Sequence, residues 1–339
     1  MKAIIKAVEY YLPETVLTNQ ELADLFPEWS VEKITDKTGI EKRHVVKEGE
    51  CASDLAYKAA VRLFESGACS AQDIDFVLLC TQSPDYFLPT TACILQEKLK
   101  IPCSAGALDF NLGCSGFVYG LSLVKGLIET GQAGNVLLLT AETYSRYINP
   151  KDKGNRTLFG DGASATLVSA SEQGKDFVGP FVFGTDGSGH KNLIVPAGAS
   201  RMPYAKASLQ DTTDANGNTR NDSNLYMNGG EIFAFTLRQV PLAVNALLEK
   251  TGKKLDDIDF FVFHQANTFM LDFLRKKSKI PTEKFIVDLK EYGNTVSSSI
   301  PVALKNLMCD SGRDCRKKTI MLVGFGVGYS WSACLVELH

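Results

Sequence analysis

The sequence predicts an α/β protein in which one strand–helix unit is used twice. Three observations carry that prediction. The chain has 339 residues, too many for one ordinary core and well suited to two fused units of ~170 residues each. Strands alternate with helices along it, which implies mostly parallel sheets covered by helices on both faces. Short strings also recur in the same order. Asp73-Ile74-Asp75-Phe76-Val77 returns as Asp257-Ile258-Asp259-Phe260-Phe261, and Lys100-Ile101-Pro102 returns as Lys279-Ile280-Pro281. Phe159-Gly160-Asp161-Gly162 returns as Phe325-Gly326-Val327-Gly328, each followed by a run ending Leu-Val. The two copies divide the chain into residues 1–172 and 173–339.

Each element has a local reason. Residues 1–6 read as a first strand. Ser53 is expected to cap a helix of about 14 residues carrying Leu55, Ala59 and Leu63. The apolar runs after Asp75 and Asp259 are short and rich in β-branched and aromatic residues, so they read as buried strands. Helix 90–99 follows Pro89, strand 106–110 comes next, and a helix runs from Cys114 to about Glu129. Strand 135–140 completes the first copy. In the second, helix 230–250 places Ile232, Phe233, Leu237, Val240, Val244 and Leu247 on one stripe, with a kink expected at Pro241. Helix 297–308 and strand 319–323 follow. Between the copies, 199–227 is rich in Asp, Asn, Thr and Ser. A loop this long reads as a lid or binding loop, or as a mobile insert.

Composition excludes several classes. Lys plus Arg is 36 and Asp plus Glu is 39, a net charge of −3. No global field for nucleic acid or an anionic membrane results. No uninterrupted apolar run reaches the ~18 residues of a membrane span, and the N-terminus does not read as a signal peptide. The nine Cys are odd in number and show no Cys-x-x-Cys spacing, as expected of free thiols in a reducing cytoplasm. With four His, a zinc site is not expected.

Four features carry chemistry. Cys114 sits in Asn111-Leu112-Gly113-Cys114-Ser115-Gly116, directly after a strand and before a nearly uncharged helix. A thiol at a helix N-terminus feels the macrodipole, which favours thiolate. Taken alone, a free Cys there reads first as a small core side chain. His264 ends the apolar strand Phe260-Phe261-Val262-Phe263 and is followed by Gln265-Ala266-Asn267. The carboxyl ends of buried strands are where α/β sheets place ligand chemistry. Asn294, in Tyr292-Gly293-Asn294-Thr295, reads alone as a turn or cap residue. The repeat changes that reading, because Gly113-Cys114 and Gly293-Asn294 occupy equivalent points of the two copies. A pseudo-twofold would bring a nucleophile, an imidazole and an amide donor together. Finally, Gly324-Phe325-Gly326-Val327-Gly328 reads as a tight turn between strands. Beside a reactive Cys its N–H groups could form an oxyanion hole.

These pieces resemble β-ketoacyl-acyl-carrier-protein synthase III, a thiolase-fold condensing enzyme. The matches are Tyr11-Leu12-Pro13-Glu14, Thr38-Gly39-Ile40, Gly113-Cys114-Ser115-Gly116-Phe117, Phe159-Gly160-Asp161-Gly162-Ala163, His264-Gln265-Ala266-Asn267, Tyr292-Gly293-Asn294-Thr295 and Gly324 to Gly328. They stand in the family order across nearly the whole chain. The resemblance implies a thiolase-like five-layer αβαβα fold of two duplicated halves, usually a homodimer. It implies decarboxylative condensation of an acyl thioester primer with malonyl-acyl-carrier protein, giving 3-oxoacyl-acyl-carrier protein and initiating fatty acid synthesis. Cys114 would accept the acyl group. His264 and Asn294 would stabilise the enolate, and the Cys114 and Val327 N–H groups would form the oxyanion hole. CoA and acyl-carrier-protein thioesters are then substrates, and no cofactor or metal is implied.

Departures from the family pattern bear on the primer. Trp29 and Lys153 occupy the region where the family stacks Trp and Arg on the CoA nucleotide. Here Trp29 lies farther upstream, and Lys cannot stack as Arg does. Leu88 stands where short-chain enzymes often carry Phe, and Asn267 belongs to the motif expected to line the substrate path. Thr268-Phe269 stands where an Arg that helps dock carrier protein often occurs. A specialised condensing or acyl-transfer enzyme of secondary metabolism is the alternative reading of the same residues.

Overall fold

The computed structural model describes residues 1–171 and 173–338. Its two five-stranded sheets have the same topology. The first contains β1 (Lys2–Tyr11), β2 (Phe76–Cys80), β3 (Gly106–Phe110), β4 (Asn135–Glu142) and β5 (Gly162–Ser171), in the order β1-β5-β4-β2-β3. The second contains β6 (Val178–Thr185), β7 (Phe260–Phe263), β8 (Phe285–Ile286), β9 (Thr319–Gly326) and β10 (Ser330–Glu337), in the order β6-β10-β9-β7-β8. Each strand thus has a counterpart five positions on. The expectation of mostly parallel sheets needs correction. In each sheet the β2 and β7 type strands pair in parallel on both sides, and the remaining pairings are antiparallel. A return strand after each crossover unit, together with a leading edge strand, makes both sheets mixed.

Six helices build the layers: α1 (Ala52–Glu65), α2 (Thr91–Lys98), α3 (Gly116–Glu129), α4 (Gly229–Thr251), α5 (Thr268–Lys277) and α6 (Ser299–Cys309). Side-chain alternation along β4 shows the arrangement. Leu137 and Leu139 pack with Leu55, Ala59 and Leu95 of α1 and α2. Val136 and Leu138 pack with Phe117, Val124, Ile300 and Leu304 of α3 and α6, which also touch Val262 and Leu322 of the second sheet. Phe261, Met321 and Val323 pack outward against Phe235, Val244 and Leu271 of α4 and α5. The result is five layers, αβαβα. A strand covered on both faces must be apolar at every position, which is why these strands read as continuous hydrophobic runs.

The repeated strings have structural work to do. Asp75 accepts the N–H groups of Gly134 and Asn135 at 2.8 Å, latching the start of β4. Asp259 accepts the N–H of Thr319 at 2.9 Å and latches β9 in the same way. Lys100 and Lys279 follow α2 and α5 with φ of 58° and 57°, the left-handed stop that usually takes glycine.

Three local expectations shift. The cap of α1 is Cys51, whose N–H bonds the Asp54 carboxylate at 2.9 Å, and Ser53 lies inside the first turn. Helix α3 starts at Gly116, two residues beyond the expected Cys114. Helix α4 contains Pro241 and is, by length and composition, apolar enough to cross a membrane, although no uninterrupted apolar run is. Its Ile232, Phe235, Val240, Val244 and Leu247 are buried in the core of the second half.

Segment 199–227 is docked rather than free. Asn218 accepts the Gly154 N–H at 3.0 Å, Arg220 pairs with Asp152 at 2.6 Å, and Asn149 donates to Asp211 at 3.1 Å. The expected boundary after residue 172 falls on Glu172, outside the described residues, as does His339.

Candidate active site

The carboxyl ends of the central strands meet where the two halves touch, and polar side chains join them there. Thr140 of β4 bonds Ser298 at 2.8 Å, Ser115 bonds Ser330 at 2.7 Å, and Glu142 accepts from Ser297 at 2.8 Å. These buried hydroxyls satisfy one another across the pseudo-twofold.

Cys114 lies at this seam, between β3 and α3, and is 5% exposed. The end of β9 closes over it, and Gly324 to Gly326 of the expected tight turn are strand residues. A Cβ on Gly326 would lie 2.9 Å from Cys114 Cβ and 3.0 Å from its Sγ, so only glycine permits this approach. A Cβ on Gly113 would likewise meet Val327 Cγ1 at 3.0 Å and Val296 Cγ1 at 3.3 Å. Residues 325–327 therefore form a hub. Gly326 backs Cys114, Val327 covers Gly113, and the Phe325 ring meets the His264 ring edge-on at 5.3 Å. Among the described residues, neither the Cys114 nor the Val327 N–H donates to a backbone carbonyl, and the Cys114 N–H points at its own thiol.

The expected thiolate is not the resting state. Burial, and then the nearby Glu142 carboxyl, push the Cys114 thiol well above its ordinary value. The macrodipole acts within about one turn of a helix end, and here desolvation outweighs it. Charge on Cys114 must form as substrate arrives.

His264 directly follows β7 and donates its backbone N–H to Val323 at 2.8 Å. Burial holds its imidazole down to about 3, so the ring is neutral at physiological pH. Its Nδ1 lies 2.7 Å from Ser299 Oγ at the start of α6. Asn294 is fixed by the other half: its N–H donates to Leu158 at 2.9 Å, and its carbonyl accepts from Gly160 at 3.0 Å. Asn294 Oδ1 accepts the Val296 N–H at 2.9 Å. That N–H can only donate, so the amide orientation is set and Nδ2 remains available as a donor. Val296 itself has φ 55°, an uncommon conformation for a β-branched residue and a kind of strain that clusters at functional sites.

The structure adds groups that sequence reasoning missed. Glu142 ends β4, fully buried, and accepts from the Gln82 N–H, Ser83 Oγ and Ser297 Oγ. Burial pushes its carboxyl up to about 8, so it is mainly neutral at pH 7. A signal was present, since Glu142 closes an apolar strand run as His264 does. Tyr144 and Gln82 were also missed. They bond one another and line a cavity of about 900 Å³ together with Leu193, Leu225 and Val327.

The expected substrate-path residues fall elsewhere. Lys153 pairs with Glu28 at 2.5 Å, which brings it beside Trp29. The Trp29 ring lies beneath Lys37 at 5.0 Å and Lys33 at 5.6 Å. Asn267 caps α5, accepting the Met270 N–H at 2.8 Å. Leu88 is 82% exposed and outside the cavity wall, which Tyr86 and Phe87 of the same loop reach. Leu88 therefore does not border this chain's own cavity, because the loop carries it outward past Phe87.

Comparison with known proteins agrees with this geometry. Residues 108–187 match the family described as 3-Oxoacyl-[acyl-carrier-protein (ACP)] synthase III, and residues 248–338 match its C-terminal family. A Beta-ketoacyl-[acyl-carrier-protein] synthase III of Caldanaerobacter subterraneus subsp. tengcongensis is 37% identical over 96% of this chain and 95% of its own. One from Clostridium perfringens is 38% identical over 97% of each. A crystal structure of a 3-oxoacyl-(acyl-carrier-protein) synthase III is 56% identical, superposes with a TM-score of 0.98 and is covered fully in both chains. The chain is thus a thiolase-fold acyltransferase, and it belongs to the β-ketoacyl-acyl-carrier-protein synthase III family.

Proposed function

We propose that the chain condenses an acyl thioester primer with malonyl-acyl-carrier protein, releasing CO2 and giving 3-oxoacyl-acyl-carrier protein, the step that initiates fatty acid synthesis. The observation that carries this reading is the seam itself: a buried thiol, a neutral imidazole and an amide with a free donor, held by elements of both halves.

Cys114 attacks the primer thioester carbonyl. The new Cys–acyl bond replaces the old C–S bond, and the departing thiol leaves with the proton that Cys114 gave up. The N–H groups of Cys114 and Val327 receive the oxyanion. Malonyl thioester then places its carbonyl oxygen against His264 and Asn294. Both are neutral donors, so they stabilise negative charge on that oxygen without protonating it. As CO2 leaves, the C–C bonding pair forms the enolate. The enolate carbon attacks the acyl–Cys114 carbonyl, the C–S bond breaks, and Cys114 leaves as thiolate and takes a proton from solvent, which regenerates the thiol. Loss of CO2 supplies the electron pair, so the reaction needs neither a redox group nor a metal.

The same reading extends to setting. CoA and carrier-protein thioesters are the substrates. Lys33, Lys37 and Lys153 around Trp29 suit an anionic nucleotide or phosphopantetheine end. The exposed Tyr86, Phe87 and Leu88 beside edge strand β3 support a homodimer. Free thiols at the exposed Cys93, Cys103 and Cys309 suit a reducing cytoplasm.

The test separates the half-reactions. Cys114→Ala should lose acylation by intact mass while keeping the fold. His264→Ala and Asn294→Ala should each keep acylation but lose ~100- to 1,000-fold in malonyl decarboxylation. Persistent acylation of Cys114→Ala, or wild-type CO2 release from either donor variant, overturns the role assigned to that residue.

A further inference from the structure

A neutral imidazole has one ring hydrogen, and the reaction proposed above needs it on a particular nitrogen. We propose that Ser299 sets that choice: its hydroxyl donates to His264 Nδ1 and so keeps the ring hydrogen on Nε2, the nitrogen left to face the malonyl carbonyl. Ser299 touches His264 and not the reacting atoms, so it is a positioning residue. The inference rests on the proposed role of His264 as a donor.

The geometry of the hydroxyl carries the argument. Ser299 Oγ lies 2.7 Å from His264 Nδ1 and 2.9 Å from the Val296 carbonyl, and it accepts the Gln265 N–H at 3.3 Å. The hydroxyl has one proton and two takers. Nδ1 is the nearer of the two, and the Val296 carbonyl, although it also reaches the imidazole, already has the Ser299 backbone N–H. Giving the proton to Nδ1 satisfies every group: Gln265 donates to Oγ, Oγ donates to Nδ1, and Ser299 N–H donates to Val296. The opposite tautomer would direct both donors of Ser299 to one carbonyl and turn Nε2 into an acceptor, which would repel the developing enolate oxygen.

The surroundings keep the arrangement rigid. His264, Gln265 and Ser299 are buried. The Gln265 side chain is itself tied down, donating to Phe263 and accepting from Asp288. The Phe325 edge packs on the ring. Ser299 opens α6, so the hydroxyl is carried on the helix that follows Asn294, and the two donors are aligned by one segment.

Nitrogen-15 NMR of histidine-labelled wild-type protein tests the tautomer directly. The expected spectrum has a pyridine-like Nδ1 and a pyrrole-like, protonated Nε2 for His264, identified by its loss in His264→Ala. Ser299→Ala should lower malonyl decarboxylation about 10- to 100-fold, as removal of an orienting outer partner typically does, while Cys114 acylation stays at the wild-type rate. Ser299→Thr should restore decarboxylation. A wild-type spectrum with the hydrogen on Nδ1, or Ser299→Ala decarboxylating within about twofold of wild type, overturns the proposal. The NMR result stands apart from the condensation activity, so failure of the tautomer assignment and failure of the functional reading are told apart.

Discussion

Glu142→Gln is the most informative perturbation of the seam. Glu142 accepts three hydrogen bonds, from the Gln82 N–H, Ser83 and Ser297, in a fully buried site. Desolvation dominates those bonds and raises its carboxyl from 4.5 to about 8. At ~1.4 kcal/mol per pH unit, that displacement is an upper figure of about 5 kcal/mol. The sign follows from the folded state holding the proton more tightly. Between pH 4.5 and 8 the native protein binds a proton that the unfolded chain has released, so the contribution is complete below pH 4.5 and lost as pH rises through 8. Glutamine fills the same volume and does not titrate. Urea unfolding of both proteins at about pH 5, 7 and 9 should therefore show wild type losing stability relative to Glu142→Gln, by several kcal/mol in total. His264, lowered to about 3, titrates in both proteins outside this range, and Asp161, raised to about 6, interacts electrostatically with Glu142 and contributes to the same difference. Cys114 supplies a second readout. An ionised Glu142 repels its thiolate, so alkylation of Cys114 by iodoacetamide should be faster in the variant near pH 9 and similar to wild type near pH 6. Parallel pH–stability curves, with equal alkylation rates at both pH values, would refute the reasoning.

Two further outcomes are expected. Light scattering at micromolar concentration should give about twice 37.0 kDa, and replacing Phe87 and Leu88 by Ser should shift the protein toward monomer. A monomeric wild type contradicts the homodimer. The cavity of about 900 Å³ beside the hub predicts a higher kcat/KM for medium or branched acyl donors than for acetyl-CoA, measured across a panel on CoA and on carrier protein. A clear preference for acetyl-CoA defeats that expectation.

What was legible in the sequence was what repeats or what chemistry restricts to few residue types. The Asp-Ile-Asp strings were legible because the same latch is needed at the start of β4 and of β9. Cys114 and Asn294 stood out because they occupy equivalent points of the two copies, and His264 because it closes a buried apolar strand. The mixed strand order was less legible, since an apolar run buried on both faces looks the same in either direction. Ser299 and Glu142 could not be read at all as partners. Each acts on a group distant in sequence: Ser299 on His264, and Glu142 on Ser297 and Cys114. The thiol expectation failed for the same reason. A helix start is visible in one dimension, whereas burial by Gly326 and a carboxyl from β4 are properties of the assembled seam.

Burial at the seam also governs how the site works. The resting seam holds a protonated thiol, a neutral imidazole and a mainly neutral carboxylic acid at pH 7. Neutral groups at the seam disfavour charge except where donors wait for it. Those donors are the N–H groups at Cys114 and Val327, the His264 imidazole and the Nδ2 of Asn294; Asn294 is bonded to Leu158 and Gly160 of the other half, and Gly326 abuts Cys114 across the seam. Electrostatic stabilisation is strongest when such dipoles are fixed before charge develops in a dry site. The duplication supplies part of that fixation, because Asn294 is carried by one half and bonded to the other, and Cys114 is backed by Gly326 across the seam.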